Sequence, residues 1–193
     1  MKTQLFRFLL PALLTIALAA PAFSQVSTYP EEELKPRDSE LKVAVGEKVP
    51  DFSLPSVHHG RVGLDQYLGK KNIVLSFVPA AWTPVCTGQW PGYNIAQELF
   101  VQNDAVLLGI SVDNVPTLWA WTQAMGELWF PVLSDFWPHG EVAQELGILR
   151  GDGMAERALF VIDKKGVIRY IDVHDINDKP RLEVLIQELE KLE

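Results

Sequence analysis

The chain has 193 residues, with 25 acidic against 17 basic side chains for a formal charge of −8, and 48% hydrophobic and 22% charged residues. This is the composition of a globular chain able to bury a full-sized core, and its acidic balance argues against nucleic acid or an anionic membrane surface as a partner. The single cysteine excludes an internal disulfide framework.

The N-terminus, MKTQLFRFLLPALLTIALAAPAFSQ, carries Lys2 and Arg7, an apolar run from Phe8 to Ala20, and then Ala22 and Ser24 at the small-residue spacing of a cleavage site. Residues 1–24 therefore read as a signal peptide, and the mature protein is expected to be exported, periplasmic or extracellular. The run is short for a membrane span, so an uncleaved anchor is the weaker alternative. VSTYPEEELKPRDSE has few apolar positions and two prolines, which marks residues 25–42 as a tether and 43–193 as the domain.

Within the domain the pattern alternates. NIVLSFV (72–78) and AVLLGISV (105–112) are continuous apolar runs rich in β-branched residues, as buried central strands require. YNIAQELFVQ (93–102) has helical spacing, and PTLWAWTQAM (116–125) predicts a second helix. FPVLSD (130–135) reads as a strand and HGEVAQELG (139–147) as a short helix closing on Gly147. RALFVID (157–163) and VIRYIDV (167–173), joined by Lys164, Lys165 and Gly166, predict a hairpin. The last segment, from Pro180 on, with apolar residues at 182, 185, 186 and 189, predicts an amphipathic helix. Such an order predicts an α/β domain with a central mixed sheet covered by helices.

Cys86 falls just beyond the first central strand, where a turn leads into a helix at the carboxyl end of the sheet. Free cysteines are usually buried and inert, but Pro79 and Pro84 favour turn geometry over core packing here, which favours a functional thiol. At neutral pH an ordinary thiol is only a few per cent ionised and needs a helix N-terminus, a hydroxyl donor or a cation beside it. Thr83, three residues earlier, is placed to supply the hydroxyl. The helix behind Cys86 looks compromised, because Gly88, Pro91 and Gly92 are poor interior residues; the sequence favours a start near Pro91, with less dipole behind the sulfur.

The Pro79, Thr83, Cys86 spacing resembles the Pro-x-x-x-Thr-x-x-Cys signature of the peroxiredoxins, the alkyl hydroperoxide reductase and thiol-specific antioxidant family. VPDFSLPSVHHGRVGLDQYLGKKNIVLSFVP and FPVLSDFWPHGEVAQELGI with ERALFVIDKKGVIRY are similar to that family's flanking sequence, over about residues 43–175, and SDFWPHG resembles its one-cysteine branch. The resemblance implies a thioredoxin-like fold and a thiol peroxidase acting on hydrogen peroxide or organic hydroperoxides. It implies Cys86 as peroxidatic nucleophile, Thr83 as the hydroxyl orienting the peroxide, Pro79 as a shield over the thiolate and Arg157 as the cation. It implies no cofactor and an external thiol or protein reductant, and it allows a homodimer. Where the family commonly carries Glu, three residues beyond the cysteine, this chain has Gln89.

Two other classes compete. A thioredoxin-like thiol-disulfide exchanger would suit Trp82 but wants a Cys-x-x-Cys pair, and position 89 is Gln. A non-catalytic thioredoxin-fold binding module would leave Cys86 unreactive. His58, His59, His139 and His174 have no metal-ligand spacing. Trp119 and Trp121 cannot share a helix face, so one belongs in the core and the other outside; Trp137 is assigned either to the core or to the peroxide pocket.

Overall fold

The computed structural model describes residues 28–30, 33–58 and 60–192; the signal-peptide assignment lies outside them. A seven-stranded sheet has the order β2-β1-β5-β4-β3-β6-β7. Its strands are β1 (Ser53–Ser56), β2 (Gly60–Gly63), β3 (Asn72–Phe77), β4 (Ala105–Ser111), β5 (Val132–Ser134), β6 (Ala158–Ile162) and β7 (Ile168–Val173). β3, β4 and β5 are parallel, whereas β6 runs antiparallel to β3 and β1 antiparallel to β5. The expected mixed sheet and thioredoxin-like α/β architecture are therefore present. The β1–β2 hairpin is an addition that the sequence pattern did not yield.

Side chains alternate between the two faces of the central strands and divide the core in two. Ile73, Leu75 and Phe77 of β3 face a cluster with Val142, Ala143 and Leu146 of α4 (Glu141–Leu146). Val74 and Val78 face the other cluster, built from α1 (Pro84–Ile95), α2 (Gln97–Gln102), α3 (Val115–Met125) and α5 (Leu182–Glu190). Both faces of β3 are thus covered, which is why its sequence is apolar throughout. Trp121 is fully buried in the second cluster while Trp119 is about half exposed, as their spacing required; Trp137 is 69% exposed, which removes it from the core.

The expected interruption of the helix after Cys86 is corrected. α1 begins at Pro84, its first residue, with Thr83 in extended geometry as N-cap, and it runs through Gly88, Pro91 and Gly92 to Ile95. Cys86, Gln89, Trp90 and Tyr93 recur at helical spacing and are all buried, so tertiary packing outweighs the poor propensity of the intervening residues. Trp90 stacks against Trp121 with ring centroids 5.0 Å apart and meets Phe130 edge-on at 6.0 Å, while its indole N–H donates to Ser76 Oγ. The helix predicted over 93–102 is consequently two helices, α1 and α2, that break at Ala96.

Residues 33–42, read as tether, run over the domain without regular secondary structure and hydrogen-bond to it at several points; Lys42 N–H, for example, donates to the Leu146 carbonyl at 3.1 Å.

Beneath α4, Asp135 is fully buried and accepts hydrogen bonds from the Val142 and Ala143 amides. Burial pushes its carboxyl up to about 6, against the lowering effect of those bonds. The folded state therefore holds this proton more tightly than the unfolded chain, and the residue's contribution to stability falls as pH rises from about 4 through about 6. Asp135→Asn, which cannot ionise, is expected to lose less stability across that window than the parent, by up to about 3 kcal/mol; parallel urea unfolding at both ends of the window measures it.

Candidate functional site

The site is set by the register between β3 and β6. Phe77 pairs with Ala158 in antiparallel register, so Arg157, one residue earlier, lies beside the carboxyl end of β3 from which the chain leaves toward Cys86. The connecting loop is held closely. Pro79 is buried in it, the Ala81 amide donates to Asp113 Oδ2 at 2.7 Å, and the Thr83 hydroxyl donates to the Ala80 carbonyl at 3.0 Å. Trp82 adopts a left-handed φ of 66°, uncommon for a residue with a side chain, at the point where the loop turns into α1. The Thr83 hydroxyl proton is thus committed to the loop rather than to the sulfur.

Cys86 is the third residue of α1 and is fully buried. Its position in the first turn places it among amides that lack intrahelical acceptors, at the positive end of a helix of 12 residues. Arg157 Nη2 lies 3.5 Å from Sγ. Arg157 is itself 1% exposed, and its remaining bonds go to neutral acceptors: Nη1 to Gln89 Oε1 at 2.7 Å, and Nε and Nη2 to the Ile176 carbonyl at 3.2 and 2.9 Å. Among the described residues it forms no ion pair with a carboxylate, whereas the other buried arginine, Arg150, pairs with Glu156 at 2.8 Å. A buried guanidinium without a carboxylate is costly unless an anion is close, and Cys86 is the group beside it able to become one.

Gln89 is the residue whose part the sequence did not reveal. Its carbonyl oxygen receives Arg157 and its amide nitrogen donates to Ser76 Oγ and Tyr93 Oη, each at 3.3 Å. Burial raises the Tyr93 phenol above its ordinary value, so it stays protonated. Among the described residues, the side chains of Gln89, Ser76 and Tyr93 that continue the hydrogen-bond network from Arg157 are therefore neutral, while the Asp175 carboxylate acts on the guanidinium from outside that network. Ile176, also unanticipated, contributes only a backbone carbonyl, which leaves no side-chain signature.

Of the α1 glycines, Gly88 lies close to a neighbouring side chain, whereas Gly92 has open space around it. A side chain at Gly88 would place its Cβ 2.7 Å from Lys179 Nζ, so the bare backbone admits Lys179 and Pro180 against the helix. A cavity of ≈ 130 Å³ lined by Gly88, Gln89, Gly92, Tyr93, Lys179, Pro180 and Leu182 remains along that side.

Comparison with known proteins identifies the family and the fold. Residues 45–171 match the AhpC/TSA family. The chain is 39% identical over 129 residues to alkyl hydroperoxide reductase E of Mycobacterium bovis, covering 67% of this chain and 84% of that protein. It is 32% identical over 146 residues to the chloroplastic 2-cysteine peroxiredoxin of Chattonella marina var. antiqua, covering 71% and 74% of the two. Among solved structures, the reduced 2-Cys peroxiredoxin of Plasmodium vivax superposes with a TM-score of 0.72 at 26% identity, over 76% of this chain and 80% of that one. Mycobacterium tuberculosis AhpC, at 23% identity and a TM-score of 0.70, shares the fold. A thioredoxin-like domain that matches the family over most of its length, with relatives at this level of identity, makes the chain a member of the AhpC/TSA family, a thiol peroxidase of the peroxiredoxin type.

Proposed function

We propose that the protein is a one-cysteine peroxidase in which Cys86 is the nucleophile, held as a thiolate by Arg157 and the first turn of α1. The observation that carries this is the fully buried guanidinium 3.5 Å from Sγ, which forms no ion pair with a carboxylate among the described residues. The thiolate attacks one peroxide oxygen, the O–O bond breaks, and the second oxygen departs as hydroxide or alkoxide and takes up a proton. Arg157 and the α1 amides act on the charge as it spreads over sulfur and oxygens, so they favour the transition state over the ground state. Thr83, with its proton given to Ala80, keeps an oxygen free to accept the hydroperoxide O–H, and Pro79 packs the loop that screens the sulfur from water. The product is Cys86 sulfenic acid.

With a single cysteine in the chain the sulfenic acid has no internal partner. An external thiol condenses with it, releasing water and leaving a mixed disulfide; a second thiol then attacks the external sulfur of that disulfide, which expels Cys86 as thiolate and leaves the two reductant sulfurs joined as the oxidised product. Export follows from the N-terminal pattern of Lys2, Arg7, the apolar run and the Ala22/Ser24 spacing; N-terminal sequencing of the protein recovered from the cell envelope should begin near Gln25, and an intact Met1 on cytoplasmic protein would refute it.

Two measurements test the chemistry. Mixed with a slight excess of hydrogen peroxide in stopped flow, the reduced protein is expected to change its tryptophan fluorescence orders of magnitude faster than free cysteine reacts, with one added oxygen on Cys86 by mass spectrometry. Arg157→Met should slow this step by about 100-fold or more while lowering stability by only about 1–3 kcal/mol; an unchanged rate would remove Arg157 from the site. Gln89→Glu gives the guanidinium a competing anion. It should move the pH profile of Cys86 alkylation upward, whereas an unmoved profile would mean that the neutrality of Gln89 has no bearing on the thiolate.

A further inference from the structure

The segment leading into the domain makes more contact with the Arg157 side of the site than a tether needs. Starting at the domain boundary, Lys42 N–H bonds the Leu146 carbonyl, and the chain crosses so closely over Gly147 that a Cβ there would fall 2.2 Å from the Glu40 carbonyl oxygen. Gly147 also has a φ of 77°, so both its conformation and its clearance suit glycine alone. Further along, the Asp38 amide donates to Glu156 Oε1 at 2.5 Å, and Arg150, paired through Nη1 with Glu156, also donates from that nitrogen to the Lys35 carbonyl at 3.1 Å. Glu156 is fully buried and precedes Arg157 directly.

The strap then holds the loop after β7. Arg37 Nη2 donates to the Val173 carbonyl, the Ile176 amide donates to the Pro36 carbonyl at 3.1 Å, and Asn177 grips Leu34 from both sides: Oδ1 accepts the Leu34 amide at 3.0 Å and Nδ2 donates to its carbonyl at 2.8 Å. Ile176 is the link. Its N–H faces the strap while its carbonyl receives two donors of Arg157. Beyond the strap, the Tyr29 amide donates to the carbonyl of Trp82, in the loop that leads to Cys86.

We infer that the strap from Leu34 to Lys42 belongs to the thiol site, with Asn177 and Arg37 as positioning residues that fix the Ile176 carbonyl and, through it, Arg157 against Cys86. The inference builds on the role proposed above for Arg157. It requires that loosening the strap be felt at the sulfur as a misplaced cation, because an ill-placed donor in a buried site loses much of its effect within about 1 Å.

The test uses the full chain with Asn177→Ala, which removes both bonds to Leu34 and one to Asp175 Oδ1, and separately Arg37→Met, with Arg37→Lys as the conservative rescue. Iodoacetamide alkylation of Cys86 across pH is read alongside peroxide oxidation. Asn177→Ala and Arg37→Met should slow alkylation at neutral pH about five- to tenfold and move its profile upward, Arg37→Lys should recover most of the loss, and Asn177→Ala should add nothing in an Arg157→Met background. An unmoved profile in both variants, or an equal loss with and without Arg157, would overturn the inference. Should the parent protein prove slow toward peroxide while the alkylation coupling holds, the strap's role stands and the peroxidase assignment of Cys86 falls; a fast parent with indifferent variants gives the reverse.

Discussion

A guanidinium buried without a carboxylate is the constraint around which this site is organised. Among the described residues, Arg157 hydrogen-bonds Gln89 Oε1, the Ile176 carbonyl and a sulfur atom, and of these only the sulfur can become an anion; the Asp175 carboxylate acts on the guanidinium without a hydrogen bond to it. The contrast lies a short way off in the same fold, where Arg150 is neutralised by Glu156 at 2.8 Å. Two buried arginines thus serve opposite ends: one is satisfied and holds structure, the other is left electrostatically incomplete. That incompleteness is what the proposed role of Cys86 would use, with a thiolate supplying the missing charge.

The scaffold fixes this arrangement from several directions. Antiparallel pairing of β3 with β6 sets Arg157 against the end of the strand that delivers the cysteine loop. Packing of Trp90 on Trp121 and Phe130, with Ser76 bonding both Trp90 and Gln89, locks α1 in the rotation that turns Cys86 inward. The same hydroxyl therefore serves the core and the site, and the α1 face that buries apolar surface also holds Cys86. At position 89 a neutral amide accepts from Arg157 Nη1 at 2.7 Å, so the guanidinium is held there without a countercharge from that side chain.

Much of this was legible in the sequence where one physical signal dominated. The apolar runs of β3 and β4 and the hairpin of β6 and β7 announced themselves because strands buried on both faces, or joined by a Lys-Lys-Gly turn, leave unambiguous patterns. The Pro79, Thr83, Cys86 spacing and the Arg at 157 drew attention to the residues that the fold gathers at one end of the sheet. Helix α1 was misjudged because local propensity and tertiary packing disagree there: Gly88, Pro91 and Gly92 speak against a helix, while Cys86, Gln89, Trp90 and Tyr93, spaced for one buried face, speak for it and prevail. The β1–β2 hairpin was lost among short, polar stretches. The Ile176 carbonyl and the strap's backbone bonds had no chance of being read, since main-chain acceptors exist at every residue and only the fold decides which are used.

The most direct test is the reactivity of Cys86 itself. At a single neutral pH, iodoacetamide should alkylate the reduced parent protein at least about tenfold faster than Arg157→Met, with Cys86→Ser left unlabelled. Equal alkylation rates in the parent and in Arg157→Met would contradict the proposal that the buried guanidinium serves the sulfur.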